Sequence, residues 1–182
     1  MINLKDKKCL IAYFSREGNN IAGGRIVKLS IGNTEVIAKM IQEITDCDIF
    51  RIDPVNSYPE DYVETTEVAG EELNKNARPE LSSHVSNMDS YNVIFLGYPN
   101  WWGTMPMPVF TFLEEYDFSG KTIIPFVTHE GSGLGRSERD LASLCPQSNI
   151  LNGLCVWGRD VKNALNDVSK WLRELELIEY KK

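Results

Sequence analysis

The sequence predicts an α/β domain, a doubly wound five-stranded parallel sheet with helices on both faces. Three observations predict it. Short apolar runs alternate along the whole chain with longer stretches of helical periodicity. The strand-like runs are continuous rather than alternating, which is how strands covered on both faces read. No repeat, low-complexity tract or linker interrupts the pattern, so the 182 residues read as one domain.

The elements follow in order. Residues 8–14, KCLIAYF, form the first strand, bounded by charge and by Ser15. Residues 34–44 set Val36, Ile37, Met40, Ile41 and Ile44 on one helical face, with Asn33 or Thr34 as the cap. Residues 47–52 are a second strand, ended by Asp53-Pro54. Residues 59–76 form a polar helix with a thin apolar face, and residues 92–98, NVIFLGY, the central strand. Residues 105–116 are helical, because Pro106 and Pro108 fall in the first turn. Residues 122–128 form a fourth strand, in which Pro125 is out of place for a buried ladder. A short helix at 134–144 is stopped by Pro146; residues 149–156 are the fifth strand, and 160–177 a closing amphipathic helix capped by Asp160.

Composition narrows the function. A hydrophobic fraction of 42% with 25% charged residues is ordinary for a globular protein. The net charge of −7 and the lack of a dense Lys/Arg cluster argue against nucleic acid and against anionic membranes. No stretch approaches the ~20 apolar residues of a membrane span. The N-terminal basic residues precede too short an apolar run for a leader, and the expected compartment is the cytoplasm. Cys9, Cys47, Cys145 and Cys155 have neither CxxC nor zinc-ligand spacing, so no metal site is expected. They read as four reduced thiols, with a Cys9–Cys47 disulfide as the alternative.

In parallel sheets of this kind ligands bind outside the carboxyl ends of the strands. Three loops fall there. After the first strand come Ser15 and, beyond an insertion at about 16–31, Gly32-Asn33-Thr34 at a helix start, a setting for phosphate or for an ordinary cap. After the third come Pro99-Asn100-Trp101-Trp102-Gly103, whose indoles suit stacking on a planar ring, local packing or a partner interface. After the fourth come Thr128-His129-Glu130-Gly131-Ser132-Gly133, whose glycines permit close backbone approach. His129 is open to a structural or a functional role. Together the loops suit a mononucleotide with a large flat ring.

These residues resemble the flavodoxin-like family. YFS followed by GNT is similar to its phosphate loop, and GYPNWWGTMP and FVTHEGSGLG to the two ring-binding loops of its bacterial FMN-binding branch. The resemblance covers nearly the whole chain and implies FMN as cofactor. It implies phosphate on Ser15, Gly32, Asn33 and Thr34. It implies an isoalloxazine flanked by residues 99–103, with residues 128–133 along its other side and pyrimidine edge. Family phosphate loops are compact, so residues 16–31 are expected to bulge outward, the alternative being that they fold over the site and cover or block the flavin, with Arg16 and Arg25 as candidate extra charge.

The implied function is electron transfer through FMN, with redox proteins as partners and no nucleophile or other catalytic side chain. The alternative is an FMN-dependent oxidoreductase using NAD(P)H and a quinone or similar small acceptor. A hydrolase built on Ser132 and His129 lacks the GxSxG elbow. A flavin-free binding module ranks with it, below both. The oligomeric state stays open.

Overall fold

A computed structural model describes residue 4 and residues 7–179; part of the N-terminal segment weighed above as a leader lies outside these. The main sheet runs β4 (Asp48–Arg51), β1 (Cys9–Tyr13), β5 (Val93–Pro99), β6 (Thr122–His129) and β7 (Asn149–Ile150), with β8 (Leu154–Trp157) also on β6. Every pair in it is parallel. The helices are α1 (Asn33–Thr45), α2 (Tyr62–Asn74), α3 (Met107–Glu115), α4 (Ser137–Leu144) and α5 (Leu165–Glu174).

Strand periodicity divides the core. Leu10, Ala12, Ile94, Leu96 and Tyr98 face the side covered by α2, α3 and α4, where Phe112 and Leu141 meet them. Ile11, Tyr13 and Phe95 face α1 and α5 through Ile37, Ile41, Val168 and Leu172. Both faces being covered is the reason the strands read as continuous apolar runs.

Several local expectations are corrected. The fifth strand is split. Ile123 pairs with Ile150 and Phe126 with Leu154, so three steps on β6 oppose four on the partner. This bulge lies beside Pro125, which has no N–H to donate, and it reconciles that proline with the ladder. Helix α1 is capped from outside. Gly32 holds the N-cap position without a side-chain bond, and Ser15 Oγ accepts from the Glu35 N–H at 3.1 Å. Asp160 lies in a 3-10 segment, Gly158–Asn163, ahead of α5 rather than at its cap.

Cys9 and Cys47 form a disulfide joining β1 to the segment after α1, and this overturns the reading of four reduced thiols. Cys145 and Cys155 are free. The insertion is ordered: β2 (Gly18–Ala22) and β3 (Arg25–Leu29) make an antiparallel hairpin around Gly23-Gly24. Both glycines have positive φ, 61° and 77°, as a two-residue turn with strand-matching twist requires. Among the described residues no helix is long and apolar enough to cross a membrane.

Candidate functional site

The carboxyl ends of β1, β5 and β6 bring the three loops together around two adjoining cavities. The first, about 130 Å³, is lined by Ser15, Asn33 and Thr34 from one side and by Pro99, Asn100, Trp101, Thr128, His129 and Glu130 from the other. The second, about 380 Å³, lies between Trp101, Trp102 and the α2 residues Tyr62, Thr65, Thr66 and Ala69. Arg16, Asn20, Tyr62, Asn100 and Trp101 line both.

The first cavity gathers N–H and hydroxyl groups at the start of α1, with Arg16 and Glu130 also on its lining. The Asn33 and Thr34 backbone N–H groups open α1 and have no acceptor among the described residues, as the first turn of a helix leaves them. Their partial positive charge points into the cavity. Thr34 Oγ1 and Thr128 Oγ1 lie 2.8 Å apart at its floor, both buried. A Cβ on Gly32 would overlap Ser15 Oγ and stand 2.7 Å from the Arg16 carbonyl oxygen, so only glycine lets the chain return here. The Arg16 guanidinium is already engaged by the carbonyls of Asn19, Pro59 and Glu60. Arg25 lines neither cavity.

The tryptophan loop is a tight turn. Trp101 and Thr104 exchange backbone bonds across Trp102 and Gly103, which have φ of 54° and 81°. Trp101 turns inward, edge-on to Phe14 and Tyr58 at 5.1 and 5.0 Å between centroids. Tyr58 in turn donates to Glu72 at 2.6 Å, and burial raises the Glu72 carboxyl above its usual range. Trp102 lies outward, 60% exposed, its indole N–H donating to the Thr66 carbonyl of α2 at 2.9 Å. Trp101 thus lines both cavities and Trp102 forms an outer wall of the larger one.

Asn100 ties this loop to the next. Its Nδ2 donates to the Gly133 carbonyl at 2.7 Å, and its Oδ1 accepts from the Gly103 N–H at 3.0 Å. Gly103, Gly131, Ser132 and Gly133 line neither cavity. Their contribution is backbone: Arg136 N–H donates to the Gly103 carbonyl at 2.8 Å, and Gly131 N–H to His129 Nδ1 at 2.9 Å. That last bond makes Nδ1 an acceptor, so Nε2 carries the proton in the neutral ring. Burial lowers the His129 pKa below its ordinary value of 6.5, and Glu130 only partly opposes this. No hydrogen bond joins Ser132 to His129 among the described residues, and the hydrolase reading lacks its essential contact. Nor does any group of three or more His, Cys, Asp or Glu stand where it could hold a metal among these residues.

Sequence reasoning missed Asn20, Ile21, Tyr62 and Gly158 in the cavity walls. The hairpin does not bulge outward: Asn20 and Ile21 line the first cavity, and the Gly23 N–H donates to Glu130 Oε2 at 2.9 Å. The Gly23-Gly24 pair was a legible turn signal. Nothing in the sequence marked Gly158, whose role is spatial. A Cβ there would overlap Glu130 Oε1 and lie 2.7 Å from Asn33 Nδ2.

Comparison with known proteins agrees with this architecture. A family model described as Flavodoxin matches residues 8–175. A candidate flavoprotein of Bacteroides eggerthii superposes with a TM-score of 0.76 at 27% identity, covering 95% of this chain and 100% of that one. One from Bacteroides uniformis gives 0.72 at 29% identity, over 92% and 98%. A Lactobacillus acidophilus flavoprotein in complex with FMN gives 0.62 at 21% identity, over 90% and 99%, a likeness of fold. No curated protein matches the chain.

Proposed function

The chain belongs to the flavodoxin family, and from that premise we propose that it binds FMN in the paired cavities and carries electrons between redox partners. One observation carries the reading: a small polar cavity at a helix N-terminus opens into a larger aromatic one, the division that a phosphate and an isoalloxazine need. The combined space falls within the ordinary range of cofactor pockets. The donor set fits the group. The N–H groups of Asn33 and Thr34 with the Ser15 and Thr34 hydroxyls would hold phosphate. Asn100, Trp101, Trp102, Thr128, His129 and Glu130 would flank the ring, with the Gly133 carbonyl holding Asn100 in place. Bound flavin supplies the one- or two-electron chemistry.

The residues around it set the conditions. His129 is neutral at pH 7 and adds no positive charge, whereas the Glu130 carboxylate adds a negative one, so the site disfavours charge building up on a reduced ring. The acidic surface suits docking to basic patches on partner proteins. The Cys9–Cys47 disulfide suits an oxidising compartment and does not favour the cytoplasmic location expected from the sequence.

A second reading has its own support. The larger cavity is bounded on its outer side by Trp102, which is 60% exposed, so a ring held there would be open to a small acceptor, as an NAD(P)H-dependent oxidoreductase acting on a quinone or similar molecule would need. Absorption spectra of protein given excess FMN and then stripped of free flavin test the shared premise. A retained flavin spectrum supports it; colourless wild-type protein overturns it. Direct NAD(P)H oxidation with a small acceptor, without a protein partner, selects the second reading.

A further inference from the structure

We propose that the β2–β3 hairpin is a lid that closes the phosphate end of the site and makes it selective for a flavin mononucleotide over a flavin dinucleotide. The proposal rests on the FMN reading and adds a device to it.

The hairpin is a partition. Asn20 and Ile21 face the first cavity, opposite the phosphate donors of α1. Gly18, Lys28 and Leu29 line a separate open cleft of about 720 Å³, shared with Phe14 and Tyr58. The tip closes the remaining gap, because the Gly23 N–H reaches Glu130 Oε2. Glu130 in turn shares the space above Gly158 with Asn33. A phosphate on the α1 N-terminus therefore meets hairpin and Glu130 on its outer side. The second phosphate and adenosine of a dinucleotide would have to leave past the hairpin tip and Glu130.

The attachment suits a part that moves as a unit. Internally the two strands pair over five positions, Gly18↔Leu29 to Ala22↔Arg25. To the body they are held by the Gly23–Glu130 bond, the exposed Lys28–Glu60 pair at 2.7 Å, the bonds of Asn19 and Asn20 with Arg16, and the packing of β2 against α2 and the Gly158–Asn163 segment. The strand entry is Gly18, with φ of 82°. Lifting the hairpin breaks few bonds and joins the cofactor cavity to the open cleft, which offers a path for flavin entry.

The test measures FMN and FAD binding by flavin fluorescence, and amide exchange at Gly23 in flavin-free protein. The variants are a short Gly-Ser turn in place of residues 18–29, Glu130→Ala and Glu130→Gln. Wild-type protein is expected to prefer FMN, and the shortened variant to lower the FMN/FAD affinity ratio by about tenfold or more. Glu130→Ala should speed both Gly23 exchange and FMN release, by about tenfold, the size of one hydrogen bond. Glu130→Gln keeps an acceptor and should leave Gly23 exchange as in wild type, which separates the latch from the charge. An unchanged FMN/FAD ratio in a folded shortened variant overturns the lid, as does unchanged Gly23 exchange in Glu130→Ala if the shortened variant does not fold. Equal binding of both flavins by wild type overturns the lid alone. Binding of neither overturns the FMN reading and the selectivity with it.

Discussion

Two segments wall the same site and are built in opposite ways. The 99–104 turn is bound into the body: Asn100 spans to Gly133 and Gly103, Asn100 N–H donates to the Thr128 carbonyl, and Arg136 N–H to that of Gly103. The 18–29 hairpin has most of its hydrogen bonds within itself. One is fixed by the scaffold, the other rests on it. The difference separates a wall that sets geometry from a wall that sets access, since local stability follows the ties to the core.

The largest effect should come from attacking the fixed wall. A Cβ at Gly135 would overlap the Gly103 carbonyl oxygen, and the φ of 57° disfavours a side chain as well. Gly135→Ala is expected to cost about 2–4 kcal/mol in denaturant unfolding, combining overpacking with backbone strain. Flavin retention should fall with it, because the two ring-flanking loops separate.

A comparable loss far from the site sharpens the contrast. Cys47→Ala removes the disulfide at the opposite end of β1 and should cost about 2–4 kcal/mol. Its FMN affinity should stay that of the parent. Thiol titration of the unfolded, unreduced parent should find two free thiols, Cys145 and Cys155, among the four cysteines. Asn100→Ala leaves the Gly133 carbonyl and the Gly103 N–H without their partner. A stability loss of about 1–3 kcal/mol is expected, with weakened FMN retention. Retention unchanged from wild type would show that the loops are held by something else.

The smaller effects concern charge. His129 ends β6 on the lining of the first cavity, and burial depresses its pKa. Its NMR titration midpoint should lie below 6.5. By linkage, its contribution to stability is complete above the unfolded value and declines as pH falls from there through the folded one. A midpoint above 6.5 would place a stabilising anion on the ring. Smallest of all, Lys28→Ala should leave the denaturation midpoint unchanged, because its pair with Glu60 is solvent-exposed. Any effect should be confined to faster exchange in the hairpin.

How much of this was legible follows from the range of each interaction. Strand and helix order reads from the apolar runs because burial on both faces acts residue by residue: Leu10 and Ile11 point to opposite faces and both must be apolar. The three site loops follow from topology, since parallel strands deliver their carboxyl ends to one edge. The capping of α1 was misplaced because Ser15 lies 20 residues from the N–H it accepts. The two tryptophans read alike as stacking candidates, yet the left-handed Trp102 and Gly103 make a turn that leaves one indole inward at Phe14 and the other outward at α2.

By itself, then, the sequence determined the α/β alternation and the edge of the sheet where the three candidate loops meet, because periodicity and loop chemistry are local. Tertiary structure alone decided the course of the hairpin over the site, the pairing of Cys9 with Cys47 and the role of Gly158. Each depends on atoms far apart in the chain, and no local pattern encodes a distance that only the packed core sets.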